Sequence, residues 1–483
     1  MLAVLRFDAS PGIGAGHASR CRALGAALVR YGWRVVAARQ TPPDDDPDAI
    51  ALTGGPGDEA ATLAARVPEG CDLLVVDHYG RGRDVERACR PWARRILAID
   101  DLCDRPHDVD VLLDPMPGRR RTDYRFPLDA ATETFLGADF APLRESFVRH
   151  RHARRGPKSG TIFVGFGGTD PTRLTARSLS ALRTLGVAER VVAVLGRQVP
   201  SLAELRAASE NQGFVQIVVD PPDIAATMME CDMAIGAGGV SALERCVLGL
   251  PSIAVVAVDN QRETVSALAK AGAVVPMDDP GEAGFGVALG RALETLRARR
   301  EALAASAATV CDGLGALRVA AVVGGPALRD GVRLAFRPVV ADDSDALLRW
   351  QQLPSVRRYS HNPKPPSPAA HADWLARKLA DPARVFEIAH RYGVPAGVLR
   401  LDRQDAQASG ESGRYEVSIY VLPEAQGIGV GKAMLAFARR AVPWGRLVAQ
   451  VLPGNEASHR LFLACGYRDD GGTYIQEPMK EAA

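Results

Sequence analysis

The chain has 483 residues, which is too long for one ordinary hydrophobic core and predicts two to four domains. Apolar residues make up 47% of it and charged residues 24%, as in a soluble globular protein. The formal net charge of +2 argues against a dedicated nucleic-acid surface. The 8 cysteines include no Cys-x-x-Cys pair, so neither a zinc site nor a disulfide framework is indicated.

The N-terminal residues run directly into an apolar strand, without the basic region and cleavage site of a signal peptide. No apolar run reaches the ~20 residues of a membrane helix. We therefore expect a cytoplasmic protein with reduced cysteines and no membrane partner.

Apolar and amphipathic stretches alternate over the first 150 residues. The predicted strands are residues 2–7, 34–38, 73–77, 96–100 and 109–113. Such alternation of strands and helices predicts a parallel sheet. Two of these strands end in acidic residues, Asp77 and Asp100 with Asp101, and ligands of open α/β sheets bind beyond the carboxyl ends of the strands.

A glycine-rich turn, Gly-Ile-Gly-Ala-Gly-His at residues 12–17, joins the first strand to a helix that begins near His17. Glycines let backbone amides approach a ligand closely, and a helix N-terminus presents unpaired N–H groups to an anion such as phosphate. A histidine there titrates near neutral pH, as a general base must. Such turns also occur only for close helix–strand packing, and the third glycine of the dinucleotide fingerprint is missing. The turn by itself leaves both interpretations open.

A second series of strands and helices follows a basic linker with glycine and proline at residues 151–160. Glycine-rich turns at residues 165–170 and 236–241 follow strands in this half. The second turn opens a helix that carries Glu244, where a carboxylate could reach a ribose hydroxyl while the helix N-terminus holds phosphates. Two such halves predict a cleft for a nucleotide sugar. The predicted strands are residues 161–165, 191–195, 215–219, 233–235 and 253–256.

Several motifs dispersed over the first two-thirds of the chain carry a resemblance. They are Arg-Phe-Asp-Ala-Ser at 6–10 with the turn at 12–17, Val-Asp-His-Tyr-Gly at 76–80, Ile-Asp-Asp-Leu at 99–102, Pro-His at 106–107, Phe-Gly-Gly-Thr-Asp-Pro at 166–171, Gly-Ala-Gly-Gly at 236–239, Glu-Arg-Cys at 244–246 and Asp-Asn-Gln at 259–261. Together they resemble the pseudaminic acid pathway hydrolases, which cleave UDP from UDP-2,4-diacetamido-2,4,6-trideoxy-β-L-altropyranose. The resemblance implies the GT-B fold of glycosyltransferases, with water in place of an acceptor.

The same resemblance implies roles for individual residues. His17 would be the catalytic base or would position the water, and Tyr79 and Asn260 would line the sugar site. Tyr79 could instead cap a strand end, and Asn260 with Gln261 could form an ordinary turn. No metal is expected, because the sequence offers no ligand cluster. The other substrate-binding candidates are Gly14, Gly16, Gly167, Gly168, Gly238, Gly239, Ser241, Glu244 and Gln261.

One stretch departs from that family's pattern. Residues 115–118, Pro-Met-Pro-Gly, stand where the family more often has an asparagine-bearing turn. The ligand contact made there is therefore left unassigned.

A third domain follows an alanine-rich helical stretch at about residues 298–322 and a glycine-containing linker at 324–331. A predicted strand at residues 415–421 precedes the loop Gln-Gly-Ile-Gly-Val-Gly at 426–431. This order, with Asn-Glu-Ala-Ser at 455–458, resembles the GNAT acetyltransferases, whose glycine loop cradles the pyrophosphate of acetyl-CoA. More narrowly, Trp350, Val-Arg-Arg at 356–358 and His-Asn at 361–362 resemble the amino-sugar acetyltransferases of nonulosonic acid synthesis.

This second resemblance makes acetyl-CoA the expected co-substrate. Phe462 stands where many GNAT enzymes have a tyrosine general acid, and phenylalanine cannot donate a proton. Tyr420, His459 or a water would then protonate the departing thiolate, or the thiolate leaves unaided. Glu416 is the candidate base acting through water, with a structural strand glutamate as the alternative. The cofactor-binding candidates are Val421, Gln426, Gly427, Ile428, Gly429, Val430, Gly431, Lys432 and Asn455.

The predicted fold class is therefore α/β, with two Rossmann-like domains at residues 1–155 and 156–325 in a GT-B arrangement, followed by a GNAT α+β domain at 332–483. The predicted function is bifunctional: acetylation of the 4-amino group of a UDP-linked amino sugar, then hydrolysis that releases UDP, in pseudaminic or related nonulosonic acid synthesis. The alternative is a GT-B glycosyltransferase or binding protein fused to a GNAT domain that acts on another amine. The sequence leaves the stereochemistry of the sugar, the acyl group and the oligomeric state open.

Overall fold

In the computed structural model the chain forms two compact units, one of residues 1–150 and 155–316 and the other of residues 151–154 and 317–483. The structure describes residues 1–8, 15–41, 46, 48–152, 160–197, 199–210, 213–404 and 413–479. The first unit holds two parallel sheets with helices between most successive strands, and the second holds one mixed sheet. The predicted α/β class, with two Rossmann-like sheets followed by an α+β sheet, is confirmed.

The first sheet has the strand order β3-β2-β1-β4-β5-β6-β7, with all neighbours parallel. Its strands β1 to β7 are Leu2–Phe7, Arg34–Arg39, Ile50–Ala51, Leu73–Asp77, Ile96–Ile99, Val111–Asp114 and Glu133–Leu136. Helices α1 to α4 are Gly16–Arg30, Glu59–Arg66, Arg83–Cys89 and Glu145–His152. The order reverses between β1 and β4, and at such a switch point the loops after the two strands diverge to leave a crevice for a ligand.

The second sheet repeats this plan, with the parallel order β10-β9-β8-β11-β12-β13 and its switch point between β8 and β11. Its strands β8 to β13 are Thr161–Gly165, Arg190–Leu195, Val215–Val219, Met233–Ala237, Ser252–Val256 and Val274–Asp278. Helices α5 to α11 are Leu174–Thr184, Leu202–Glu210, Ile224–Met229, Val240–Val247, Arg262–Lys270, Glu282–Ala298 and Arg300–Val310.

The third sheet has the order β14-β15-β16-β17-β18-β20-β19, and its only parallel neighbours among the described strands are β17 and β18. Strands β14 to β20 are Ala335–Pro338, Val385–Arg391, Val394–Arg403, Arg414–Val421, Arg446–Gln450, Arg468–Asp470 and Thr473–Gln476. Helices α12 to α17 are Gly315–Gly324, Ser344–Gln352, Pro354–Arg357, Pro368–Ala380, Val430–Ala441 and Glu456–Ala464.

In the first unit, three strands, β3, β7 and β13, were not predicted. Strand β3 has two residues, too few for a periodic pattern, and β13 carries Pro276 at the edge of its sheet, where a missing N–H is tolerated. The helical stretch predicted at 298–322 is wrong as one element, because it is interrupted between Val310 and Gly315. Gly313 adopts a φ of +86° there, a left-handed conformation that cannot continue a helix.

Residues 300–324 are the one described stretch that is long and apolar enough to cross a membrane by length and composition, with a mean hydropathy of 1.4. In the protein 78% of its most apolar window is buried. This stretch meets the length and composition criteria for a membrane helix, although no apolar run was expected to be long enough. The interruption before Gly315 divides the stretch into α11 and α12.

Candidate functional site

His17 lies in the first turn of α1, next to the carboxyl end of β4. Strands β1 and β4 pair with Phe7 opposite Asp77, and α1, the next described element after β1, begins close to the end of β4. His17 Nδ1 lies 2.5 Å from Asp77 Oδ1, and both side chains are buried. The predicted catalytic histidine therefore has a carboxylate partner that the sequence analysis did not assign.

Arg20, one turn further along α1, holds the same carboxylate. Its Nε and Nη2 donate to Asp77 at 2.6 Å each, and its Nη1 donates to Asp101 Oδ2 at 2.8 Å. Burial alone would raise the pKa of Asp77, but the Arg20 guanidinium and the His17 imidazole hold that pKa well below its usual range. Because two lone pairs would repel at 2.5 Å, His17 Nδ1 carries a proton and donates it to the ionised Asp77. The other ring nitrogen, Nε2, is then free to accept a proton.

Tyr79, two residues after Asp77, contacts His17 and reaches a residue of the second sheet's half. The Tyr79 and His17 rings meet edge to face with their centroids 4.6 Å apart. The Asn260 side chain donates to the Tyr79 hydroxyl at 3.3 Å. Burial and the neighbouring Asp101 carboxylate raise the pKa of Tyr79, so the phenol stays neutral and can donate. The structure thus brings three predicted site residues together.

His78 is a neighbouring residue to which the sequence analysis gave no role. Its Nδ1 accepts from the Gly80 N–H at 2.8 Å, so the single proton of the neutral ring lies on Nε2, 3.5 Å from Asp8 Oδ2. Burial, with the Arg81 and Arg6 guanidiniums, lowers the pKa of His78 to about 4. The motifs at 6–10 and 76–80 contain both partners, but the spacing between them gave no sign of the pairing.

The described end of the first glycine turn, residues 15–17, approaches the glycine turns of the second half. Gly14 lies outside the described residues. A Cβ on Gly16 would lie 3.9 Å from Val240 Cγ2 at the start of α8, and a Cβ on Gly168 would lie 3.7 Å from the alanine that precedes Gly16. Gly167 has a φ of +90° with open space around its Cα. These turns therefore converge near His17, as expected of a cleft between two Rossmann-like halves.

The turn before α8 is closely packed. A Cβ on Gly238 would collide with Val265 Cγ2, so no other residue fits without movement. Gln261 Oε1 accepts from the N–H groups of Gly238 and Ala257, at 3.1 and 3.2 Å. Gly239, next to the Gln261 amide nitrogen, precedes the first residue of α8. Gln261, which was predicted to bind the substrate, thus stabilises the conformation of this turn through its side chain.

Two further predicted residues lie on α8 itself. Ser241 is in its first turn, and its Oγ accepts from Arg245 Nη1 at 3.3 Å. Glu244 is buried, and its Oε1 accepts from Arg144 at 2.7 Å. The carboxylate predicted to meet a ribose therefore already has a partner on one of its two oxygens.

A cavity of about 1600 Å³ lies in the second unit, where strands β17 and β18 separate. The two strands pair only from Arg414 to Glu416 and from Arg446 to Val448, and beyond these residues both line the cavity. Every predicted cofactor-binding residue lines it: Val421, Gln426, Gly427, Ile428, Gly429, Val430, Gly431, Lys432 and Asn455.

The glycine loop before α16 has the geometry of an anion cradle. Gly427 and Gly429 adopt φ values of +77° and +106°, and Gly429 precedes the first residue of α16, whose N-terminal N–H groups lack helical partners. A Cβ on Gly431 would lie 2.8 Å from Leu461. Asn455 Oδ1 accepts from the Ser458 N–H at 3.2 Å and caps α17.

The opposite wall of the cavity is built from one face of β16 and β17. Ser418 and Tyr420 pair with Arg400 and Val398, so these side chains lie on the same face as Glu416. Glu416 Oε2 accepts from the Gln404 side chain at 2.7 Å. The Tyr420 hydroxyl is buried and has no hydrogen-bond partner among the described residues.

The two side chains considered as proton donors in place of Phe462, Tyr420 and His459, differ in whether they line the cavity. Phe462 lines the cavity, and its ring packs against Tyr467 and Tyr474 at centroid distances of 5.0 and 5.5 Å. His459 Nδ1 lies 2.7 Å from the Tyr474 hydroxyl and is not among the cavity-lining residues. Tyr420 does line the cavity, and burial raises its pKa, which keeps the phenol protonated.

Within the described ranges, no three His, Cys, Asp or Glu side chains group as a metal site would require. The expectation that no metal is needed stays a prediction.

Residues 333–468 match the model of the acetyltransferase (GNAT) domain family. Over 202 residues the chain is 27% identical to the UDP-2,4-diacetamido-2,4,6-trideoxy-β-L-altropyranose hydrolase of Campylobacter jejuni, covering 42% of this chain and 72% of that protein. It is 26% identical over 211 residues to the spore coat polysaccharide biosynthesis protein SpsG of Bacillus subtilis, covering 43% of this chain and 62% of that protein, less than two thirds of its length.

Among solved structures, MurG of Acinetobacter baumannii aligns with 66% of this chain and 99% of its own, at 17% identity and a TM-score of 0.47. The chain therefore joins an acetyltransferase domain of the GNAT family to sequence that is similar to a UDP-sugar hydrolase.

Proposed function

We propose that this chain is a bifunctional nucleotide-sugar enzyme of pseudaminic or a related nonulosonic acid synthesis. The GNAT domain acetylates the 4-amino group of a UDP-linked 4-amino-4,6-dideoxy sugar with acetyl-CoA. The two Rossmann-like halves then hydrolyse the diacetamido product to the free sugar and UDP, in the cytoplasm and without a metal. The observation that carries the proposal is the buried His17–Asp77 pair at the switch point of a nucleotide-sugar cleft.

Hydrolysis needs a base that removes a proton from water and uncharged hydrogen-bonding groups that bind the sugar. His17 Nε2 removes a proton from a water that attacks the anomeric carbon, the carbon–oxygen bond to the diphosphate breaks, and Asp77 stabilises the imidazolium that forms. Tyr79 and Asn260, joined at 3.3 Å, are neutral hydrogen-bonding groups beside His17 and suit the hydroxyl and acetamido groups of a sugar. The N-termini of α1 and α8 offer N–H groups to the departing diphosphate.

Acetyl transfer needs a thioester in the cleft between β17 and β18 and an amine on the Glu416 side. The amine nitrogen attacks the thioester carbonyl, the carbon–sulfur bond breaks, and the thiolate takes a proton. Glu416 removes the amine proton through water, and Tyr420, whose hydroxyl lacks a partner among the described residues, supplies the proton to the thiolate in place of Phe462.

The charge of the cavity favours an acidic acceptor. Its lining includes Arg357, Lys364 and Arg400, whereas Glu416 is the single carboxylate among the described lining residues. Arg400 also lies over the Trp374 ring, 5.2 Å from its centroid. A polyamine would be repelled by such a wall, while an amino sugar that carries a nucleoside diphosphate would be attracted to it.

The alternative is a glycosyltransferase that passes the sugar to an acceptor, with a GNAT domain acting on another amine. To separate the two, the purified chain is incubated with UDP-linked 4-amino-4,6-dideoxy sugars and acetyl-CoA, and the products are followed by mass spectrometry. We expect the N-acetylated UDP-sugar, then equal amounts of free sugar and UDP without any acceptor. EDTA should leave both steps unchanged.

The matched variant is His17→Ala, which should lose ~10²–10⁴ of the rate of UDP release and keep acetyl transfer. Release of UDP only when a sugar or lipid acceptor is added would favour the glycosyltransferase. Acetylation of simple polyamines but not of any UDP-amino sugar would contradict the proposed acceptor.

A further inference from the structure

Arg245 is a buried cation for which the described residues supply no acidic partner. Its side chain lies on α8 with no solvent exposure, and no carboxylate of the described residues forms an ion pair with its guanidinium. Its Nη2 donates to the Ala237 carbonyl at 2.9 Å, its Nη1 donates to Ser241 Oγ at 3.3 Å, and its Nε has no hydrogen-bond partner in the described part of the chain. The adjacent Glu244 carboxylate pairs with Arg144 instead. A guanidinium buried in this way is costly unless a negative charge completes it.

The guanidinium lies beside the turn before α8. Arg245 Nη1 is 2.6 Å from the place that a Cβ on Gly236 would occupy, so it packs against the backbone at the carboxyl end of β11, where that turn begins. The same turn ends at the N-terminus of α8, whose first N–H groups have no helical partner. The buried Arg245 guanidinium and the N-terminus of α8 therefore both lie next to this turn, and both favour the binding of an anion there.

Ser241 connects the Arg245 guanidinium to the N-terminus of α8. Arg245 Nη1 donates to Ser241 Oγ, and the Ser241 hydroxyl in turn makes a long hydrogen bond of 3.5 Å to the Ala237 carbonyl, which already accepts from Arg245 Nη2. A phosphate oxygen is a stronger acceptor for that proton than a carbonyl that already has a donor. The Ser241 hydroxyl can then act as a donor to a ligand at the helix N-terminus, in addition to the backbone N–H groups.

We propose that Arg245 is the buried counter-charge of the diphosphate of the bound UDP-sugar, a positioning residue that acts on the diphosphate through Ser241 and through its field. This inference rests on the proposed function, because it assumes that the turn at residues 236–241 receives the diphosphate. It predicts that Arg245 contributes to the recognition of phosphate and not to that of the uridine.

The test compares binding of UDP and of uridine to the full chain, by calorimetry and by ligand-observed NMR. With Arg245→Met, which keeps the length but not the charge, UDP affinity should fall about 10- to 100-fold while uridine affinity changes less than about twofold. Arg245→Lys should recover part of the loss. Equal losses for UDP and uridine would mean that Arg245 only packs the turn, and would overturn the inference.

Two controls keep the outcomes distinct. A wild-type chain that binds no UDP would refute the proposed function and this inference together, whereas tight UDP binding with equal losses in the variant refutes only the inference. If Arg245→Met does not fold, Ser241→Ala carries the test. Ser241→Ala should weaken UDP binding more than uridine binding. Adding Arg245→Lys to Ser241→Ala should reduce UDP affinity by a smaller factor than Arg245→Lys does in the wild-type chain. Equal weakening of both ligands by Ser241→Ala would overturn the inference.

Discussion

At the scale of single residues, the proposed chemistry of His17 depends on what the carboxylate of Asp77 does. Asp77 accepts from His17 and twice from Arg20, so it is ionised, buried and fixed in orientation. A carboxylate in that position selects the imidazole tautomer with a bare Nε2 and stabilises the charge formed after proton transfer. Arg20 in turn keeps the carboxylate from taking up a proton itself.

We expect Asp77→Asn to lower the rate of UDP release by about 10²–10⁴, because an amide keeps the shape but can neither stay negatively charged nor fix one tautomer. The effect should fall on kcat more than on KM, since Asp77 is fully buried and acts through His17. Steady-state assays measure kcat and KM for UDP release and for acetyl transfer. Asp104→Asn, at an exposed carboxylate near the end of β5, is the matched control. A loss confined to KM would contradict the role given to Asp77.

A second residue-scale prediction concerns the proton that the CoA thiolate requires. Tyr420→Phe should slow acetyl transfer by about 10²-fold, because it removes the cavity-lining phenol whose hydroxyl has no other partner among the described residues. Phe462→Tyr, introduced into that variant, should restore much of the rate by supplying the usual GNAT donor. Single-turnover kinetics with acetyl-CoA would show this. An unchanged rate in Tyr420→Phe would leave water as the donor, or a thiolate that departs unaided.

At the scale of elements, the loop before α16 shows how backbone conformation and ligand binding are combined. Gly429 has a φ of +106°, and a side chain there would be strained as well as placed against the N–H groups that face the cavity. Gly429→Val should therefore weaken acetyl-CoA binding by more than tenfold and leave UDP release unchanged, as calorimetry and the UDP assay would show. Gly393→Ala, at a φ of +75° in the exposed β15–β16 turn, is the control for strain alone. Equal effects of the two changes would mean that strain, not cofactor contact, explains the loss.

The same elements show what sequence patterns can and cannot predict. The buried strands Leu2–Phe7 and Leu73–Asp77 were predicted to the residue, because continuous apolar runs ending at polar residues are local signals. The pairing of His17 with Asp77 was not predicted, because it spans 60 positions and follows only from the adjacency of β1 and β4. Glu244 was predicted to face a ribose, and its ion pair with Arg144, 100 residues away, could not be inferred from spacing.

At the scale of the whole molecule, the boundary between the two compact units differs from the position that composition indicated. The glycine-rich linker was expected at residues 324–331, but the second unit includes α12 from residue 317 onward. Arg318 on α12 and Glu387 on β15 are both fully buried and paired, with Arg318 Nε donating at 3.1 Å. The helix is apolar apart from that arginine, so composition alone assigned it to the alanine-rich stretch before it.

We therefore expect a fragment of residues 315–483 to unfold cooperatively and to gain thermal stability with acetyl-CoA, whereas a fragment of residues 330–483 should aggregate or unfold without a clear transition. The shorter fragment lacks the buried face of α12, which includes Val319 and Val323, and it lacks Arg318, which pairs with Glu387. Within the longer fragment, Arg318→Met should cost about 3–5 kcal/mol, because it removes the guanidinium that pairs with the buried Glu387 carboxylate, and adding Glu387→Gln should recover part of that loss. Chemical unfolding of the four proteins measures these differences. If both fragments unfolded alike and bound acetyl-CoA equally, α12 would not be part of the folding unit, and the linker at 324–331 would be the true boundary.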